Sequence, residues 1–288
     1  MTRIRRVEVV ANLASGGVDK DAPDEIEKIF ADHGLNAHVC APETHDLTNC
    51  LRAAVDAAPD LLVVLAGDGT ARTAAELCGP EGPLLAPLPG GTMNLLPRTI
   101  YGKRSWQDAL SLALAEGEAR NLGGGMVGDH PFLVAAVLGS PALWAPAREA
   151  ARYGEPWLAL AWARRAFQRA FSGRLRYSLD GGEREKAEAV VFMCPHVSRA
   201  MADETPALEA AALDLHGTGD AFRLGLNALV RDWRDDPAVV TRPCRRARVW
   251  ASKGIPALLD GELHRLSSST EVSWRPNVAR ILAPPKED

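Results

Sequence analysis

VVLAGDGTARTAA, residues 63–75 of a chain of 288, joins an apolar, β-branched run to a run of helix formers through Gly67-Asp68-Gly69-Thr70. Leu61 to Leu65 predicts a buried strand, and Thr70 stands where an N-cap would open a helix over Ala71 to Leu77. The loop therefore lies between a strand's carboxyl end and a helix N-terminus. Unpaired amides and the positive end of the helix dipole favour an anion there, and glycines let it approach the backbone. Asp68 would repel a bare phosphate but suits one that carries Mg2+. Taken alone, the same residues also read as an ordinary strand-to-helix turn, because Asp-Gly is a common turn pair.

Around this stretch the first part of the chain alternates. Strands are predicted over Val7 to Ala11, Asn36 to Cys40, Leu61 to Leu65 and Leu84 to Leu88. Helices are predicted over Ala22 to His33, Leu47 to Ala58, Ala71 to Leu77 and Ser105 to Glu116. That order implies an α/β domain with a doubly wound parallel sheet, which binds ligands beyond the carboxyl ends of its strands. Three polar, glycine-containing loops follow such ends: NLASGG (12–17), AGDGT (66–70) and PGGTMN (89–94). Their expected convergence on one edge points to a binding site more strongly than any one of them.

After NLGGG (121–125) the rhythm changes to short strand-like runs, at Phe132 to Leu138, Leu175 to Leu179, Ala187 to Met193, Phe222 to Leu226, Ala247 to Ala251 and Glu271 to Trp274. This predicts a β-rich sandwich or barrel, interrupted by one long helix around Pro156 to Ser172. Three consecutive glycines are expected to loosen the chain at the boundary. Residues 1–122 are then expected to form the α/β domain that carries the three loops and 123–274 a β-sandwich domain, with the tail from about 275 to 288 returning to the first as a last strand.

A formal net charge of −4 gives no general attraction to nucleic acid, so a nucleic-acid binder is disfavoured. Cys40, Cys50, Cys78, Cys194 and Cys244 are scattered, with no metal-ligand spacing, and are expected to be reduced, mostly buried thiols. The N-terminus reads as a first strand rather than a signal peptide, and no apolar run is long enough to span a bilayer. A soluble, cytoplasmic protein is expected, peripheral at a membrane at most.

Together these motifs resemble the catalytic domain shared by diacylglycerol kinases, sphingosine kinases and bacterial soluble lipid kinases. NLASG matches that family's Asn-Pro-x-Ser-Gly loop, AGDGT its Gly-Gly-Asp-Gly-Thr, PGGTMN its Gly-Thr-x-Asn-Asp, and LDGEL (259–263) its late Asp-Gly-Glu. The resemblance implies a two-domain, ATP- and Mg2+-dependent kinase that phosphorylates a hydroxyl of diacylglycerol or a related lipid. It further implies nucleotide contacts from Asn12, Ser15, Gly16, Thr44, Gly67, Asp68, Gly69, Thr70 and Thr92. Asp68 would be the metal-associated catalytic carboxylate and Glu262 the base. Such transfer depends on positioning and charge neutralisation, with a carboxylate within reach of the acceptor hydroxyl. Read from its residues alone, Asp260-Gly261 is also a favourable hairpin turn, with Glu262 merely the residue beyond it.

The departures are Ala66 for a glycine, Leu13 for a proline, Arg72-Thr73 for Asn-Glu, Leu95 for an aspartate, and Gly123 for a boundary aspartate. A structural metal segment of the family aligns with LEAAALDLHG, which keeps Asp214 but has Ala210-Ala211, with Glu209 nearby. Two other readings stay open on these grounds: a non-catalytic nucleotide- or lipid-binding homologue, and a soluble-substrate kinase of the NAD kinase type. The predicted helix near 156–172 alternates Trp157, Leu160, Trp162, Phe167 and Phe171 with Arg164, Arg165 and Arg169. It suits either a transient membrane-surface contact or a packed helix with a solvated basic face. His196, His216, Trp233 and Trp250 read as turn or packing residues. Arg242, Arg245, Arg246 and Arg248 lie near a predicted strand whose alternation places some of them in solvent.

Overall fold

The computed structural model describes residues 4–42, 46–144, 175–197, 206–213 and 239–285. The predicted helix near 156–172, the strand at 222–226, Asp214, His216 and Trp233 lie outside them. The chain divides into two compact units, Met1–Gly124 with Pro276–Asp288, and Gly125–Arg275.

The first unit follows the βα rhythm: β1 (Val7–Ala11), α1 (Ala22–Asp32), β2 (Ala37–Cys40), α2 (Leu47–Asp56), β3 (Leu61–Ala66), α3 (Asp68–Cys78), β4 (Leu84–Pro89), α4 (Leu95–Tyr101) and α5 (Trp106–Glu116). The strands pair in parallel in the order β2-β1-β3-β4, with Val9 beside Val63 and Val63 beside Ala86. β1 and β3 are buried along their whole length, as a strand covered on both faces must be. Ile26 and Phe30 of α1 and Ala109, Leu110 and Ala113 of α5 share one core with Val9, Val63 and Ala86.

Two expectations change here. α3 begins at Asp68 with Gly67 as its N-cap, not at Ala71 with Thr70 capping, so the Gly-Asp-Gly segment is the helix's first turn. α4 was not predicted, because Pro97 reads as a breaker; at the third helical position its missing N–H is one the helix could not use. A third correction concerns the thiols. Cys40, at the end of β2, and Cys50, on α2, are paired as a disulfide, while Cys78, Cys194 and Cys244 are free and buried.

The second unit is built from strands. β5 (Glu118–Val127) enters it at Gly125 and is followed by β6 (His130–Phe132), β7 (Ala135–Gly139), β8 (Leu175–Leu179), β9 (Glu185–Ala187), β10 (Ala189–Met193), β11 (Leu208–Leu213), β12 (Val239–Cys244), β13 (Arg246–Trp250), β14 (Ile255–Leu259) and β15 (Glu262–Leu266). The first part of β16 (Ser269–Ala283) completes it. Among the described residues one sheet runs β12-β11-β10-β7-β14-β15, and a second layer runs β16-β13-β8-β9. Val190, Phe192, Ala210 and Leu259 of one layer bury against Tyr177, Val249 and Val272 of the other, forming a sandwich core.

The three glycines of the expected loose boundary are instead part of β5. Gly125 is a packing position, since a Cβ there would stand 2.0 Å from the Phe132 ring. The run predicted as Phe132 to Leu138 is split, because the amides of Leu133 and Val134 leave the ladder for the Asp260 carboxylate. The run predicted as Ala187 to Met193 divides at Glu188, with β9 and β10 going to different layers. β16 closes the chain: Ile281 lies parallel to Leu85, and Leu282 joins the core of the first unit.

Candidate functional site

Because β1, β3 and β4 are adjacent and parallel, the three loops after them emerge at one rim of the first unit. The loops are tied to one another through the backbone. Asn12 donates its N–H to Leu65 O at 2.9 Å, Gly17 to Gly90 O at 3.1 Å, and Gly90 to Ala66 O at 3.1 Å. Within the first loop, Asn12 Oδ1 accepts from Ala14 N at 3.1 Å, an Asx turn that orders the segment carrying Ser15 and Gly16. Between the second and third loops the chains touch: a Cβ on Gly91 would stand 2.6 Å from Gly67 Cα. Only glycine permits that approach.

The structure therefore brings together Asn12, Ser15, Gly16, Gly67, Asp68, Gly69, Thr70 and Thr92, while Thr44 lies outside the described residues. Thr92 is exposed at the rim. One residue of the rim that sequence reasoning left without a role is Asn94. It is buried, left-handed at φ 51°, and clamps the third loop by accepting from Gly91 N at 2.7 Å and donating to Gly91 O at 2.8 Å. The signal for it was asparagine's tolerance of the left-handed region after a Gly-Gly pair.

The electrostatics of the rim follow from α3. Its first i→i−4 bond is Ala71 N to Gly67 O at 3.1 Å, and Gly67 offers no side-chain cap. The amides of Asp68, Gly69 and Thr70 precede that bond, so they have no acceptor within the helix and face the strand ends with the positive end of the dipole. The Asp68 carboxylate does not cap its own helix. It reaches α4, accepting from Leu95 N at 3.1 Å and from Leu96 N at 3.0 Å. This tie between segments 27 residues apart was not read from the sequence. Each carboxylate oxygen keeps a second lone pair, so the residue fits a Mg2+ ion that takes its remaining ligands from phosphate and water. Among the described residues no three His, Cys, Asp or Glu side chains gather as a ligand group.

In the second unit, Asp260 and Gly261 have φ of 48° and 93°, the two positive values of a tight hairpin turn joining β14 to β15. The Asp260 carboxylate accepts from Leu133 N at 2.7 Å, Val134 N at 2.9 Å and Ala135 N at 3.0 Å. Glu262 follows the turn opposite Leu259, half exposed, with Oε2 3.9 Å from His264 Nε2. The His264 ring stands 4.9 Å from that of His130. The turn reading of Asp-Gly is thus correct, and it leaves the Glu262 carboxylate accessible.

Gly123 is half-buried within β5, and Ala210 and Ala211 are buried in β11 opposite Phe192 and Val191. His196 Nε2 is bonded to Leu133 O at 2.7 Å. Burial pushes the thiols of Cys78 and Cys244 up to about 12, and Cys194 well above its ordinary value, so none is a ready thiolate.

Residues 6–127 match the family model described as "Diacylglycerol kinase catalytic domain". Similar solved structures include a diacylglycerol kinase from Bacillus anthracis str. Sterne, 14% identical with a TM-score of 0.72. Two provisionally assigned diacylglycerol kinases from the same organism are 17% and 18% identical, with TM-scores of 0.74 and 0.75. In all three cases 99% of each chain is covered. Over residues 6–127 the chain thus resembles the diacylglycerol kinase catalytic-domain family, and over its length it has the fold of these bacterial structures.

Proposed function

We propose that the chain is an ATP-dependent kinase that transfers the γ-phosphate to a hydroxyl of diacylglycerol or a related lipid. The observation that carries this reading is the rim itself: three loops tied together at the carboxyl ends of β1, β3 and β4, with an uncapped helix N-terminus among them. Open amides and glycines suit a polyphosphate. The backbone of Gly16 and of Gly67 to Thr70, with the Asn12, Ser15 and Thr92 side chains, would hold the nucleotide, and Thr44 is assigned the same role. Asp68 would hold Mg2+, which supplies charge neutralisation to the transferring group. Asp68 also keeps the second and third loops in register through α4. Glu262 would accept the proton of the acceptor hydroxyl. A lipid acceptor would be met at a lipid surface; among the described residues no helix is long and apolar enough to cross a membrane.

The test is a scan with γ-labelled ATP against diacylglycerol, sphingoid bases, ceramide, phosphatidylglycerol and NAD, with Glu262→Gln beside the parent chain. Label in one lipid, lost by at least about 100-fold in Glu262→Gln, is expected for a proton acceptor. Label in NAD alone would move the chain to the soluble-substrate reading, and no label anywhere would overturn the kinase. Gly123 and Ala210, which stand where the family has acidic residues, favour a second reading as a non-catalytic homologue. ATP binding without turnover would select it.

A further inference from the structure

One surface of the second unit is far more basic than a chain of net charge −4 suggests. In the layer β16-β13-β8-β9, Tyr177, Val249 and Val272 point into the core. Alternation along the strands therefore turns Arg176, Arg246, Arg248 and Trp250 to the opposite face. Arg176, Arg246 and Arg248 are exposed and Trp250 is half-buried. Register adds Lys186 beside Arg176, and Arg176 stands beside Trp250. The row Lys186, Arg176, Trp250, Ser269 crosses four strands, roughly 15 Å at ordinary strand spacing. Arg184, exposed in the turn before β9, lays its guanidinium 4.5 Å from the Trp250 ring centroid, with that of Arg248 at 5.9 Å. Glu271 stands opposite Arg248, and at the Arg246 end of the face the Asp180 carboxylate accepts from the amides of Arg245 and Arg246.

The outer side of this layer belongs to a twisted sheet, not a pocket, so it suits an extended anionic surface better than a small ligand. Guanidinium forks match phosphate oxygens, arginine stems lie along apolar groups, and an indole favours the headgroup level of a bilayer. Single-stranded nucleic acid would want open aromatic faces for stacking bases; here the indole is already covered by guanidinium groups. We infer that this face is the surface by which the chain settles on an anionic lipid bilayer. Its purpose rests on the lipid-kinase reading, while the surface itself is read from charge and register alone.

The test is flotation of the full chain with vesicles of phosphatidylcholine, with and without phosphatidylserine. The parent chain is expected to bind only the phosphatidylserine vesicles, and less as salt rises. The triple variant Arg176→Glu, Arg246→Glu, Arg248→Glu is expected to lose at least about 100-fold in partitioning, at roughly fivefold per charge. Arg176→Gln, Arg246→Gln, Arg248→Gln, with its melting curve compared to the parent, removes the same three positive charges and should lose about 100-fold without placing like charges on neighbouring strands. Equal flotation of a folded variant and the parent, or no vesicle binding by the parent, would overturn the inference. So would binding of a labelled single-stranded RNA to this face with no vesicle binding. Phosphorylation of a short-chain, water-dispersed diacylglycerol reads the kinase separately. Vesicle binding that is lost in the variants while this reaction is absent in all of them supports the surface and overturns only the kinase.

Discussion

Asp68-Gly69 and Asp260-Gly261 are the same dipeptide placed in two kinds of backbone. In the first unit Asp68 opens a helix in ordinary right-handed conformation; in the second Asp260 sits left-handed at φ 48° in a hairpin. Both carboxylates nevertheless do the same structural work, each accepting amides from a segment remote in sequence, two at the start of α4 and three from Leu133 to Ala135, where β6 gives way to β7. What differs is what the glycine is for. Gly261, at φ 93°, is required by its own dihedral, whereas Gly69 lies in a helix that alanine would favour. Under the proposed nucleotide-binding reading, a glycine against helix propensity at this N-terminus would leave the backbone open to a phosphate.

The comparison can be broken most sharply at Asp260. Asp260→Ala leaves three part-buried amides without their charged acceptor, and unfolding in urea should show a loss of about 3–5 kcal/mol. Asp68→Ala orphans two amides, so a smaller loss of about 2–3 kcal/mol is expected, together with weaker ATP binding by calorimetry. Equal losses at the two sites would mean that the ties differ less than their geometry. The glycines give opposite signs for one chemical change. Gly261→Ala should destabilise by about 1–2 kcal/mol, while Gly69→Ala should stabilise by up to about 1 kcal/mol and yet weaken ATP binding tenfold or more. Unchanged ATP affinity in Gly69→Ala would return the first dipeptide to a plain turn.

The smallest effect concerns pH. The amides of Arg6 and Arg5 hold the Asp60 carboxyl below its usual range, and the Tyr177 hydroxyl followed by Arg242 does the same for Glu185. Their contribution is present above about pH 4, the unfolded value, and fades as acid passes through the lower folded values. Melting temperature should fall below about pH 4, and Asp60→Asn should flatten that slope.

The βα alternation of the first unit was legible because its periods are long and its central strands β3 and β4 are apolar on both faces. α4 was hidden by Pro97, and the start of α3 by two glycines that propensity assigns to a loop. In the second unit β11 reads LEAAAL, helix formers forced into a buried strand by pairing with β10. The rim's loops could be named from the sequence, since strand ends and glycines mark them. The partners of Asp68, Asp260 and Asn94 could not, because a side-chain tie between distant segments leaves no local period. The Cys40–Cys50 pair was missed for the same reason, as nothing in the spacing says that the end of β2 meets α2.

The last strand carries a consequence for how the molecule is made. Ile281 lies beside Leu85 on β4, the Tyr101 hydroxyl donates to Leu282 O at 2.8 Å, and Leu282 fills the first core. During synthesis the first unit must therefore wait, with the β4 edge bare and the phenol of Tyr101 unsatisfied, until the ribosome has passed the whole of the second. A fragment cut after residue 127 keeps every glycine of the rim yet carries an open sheet edge, the kind of edge that recruits other chains into aggregates.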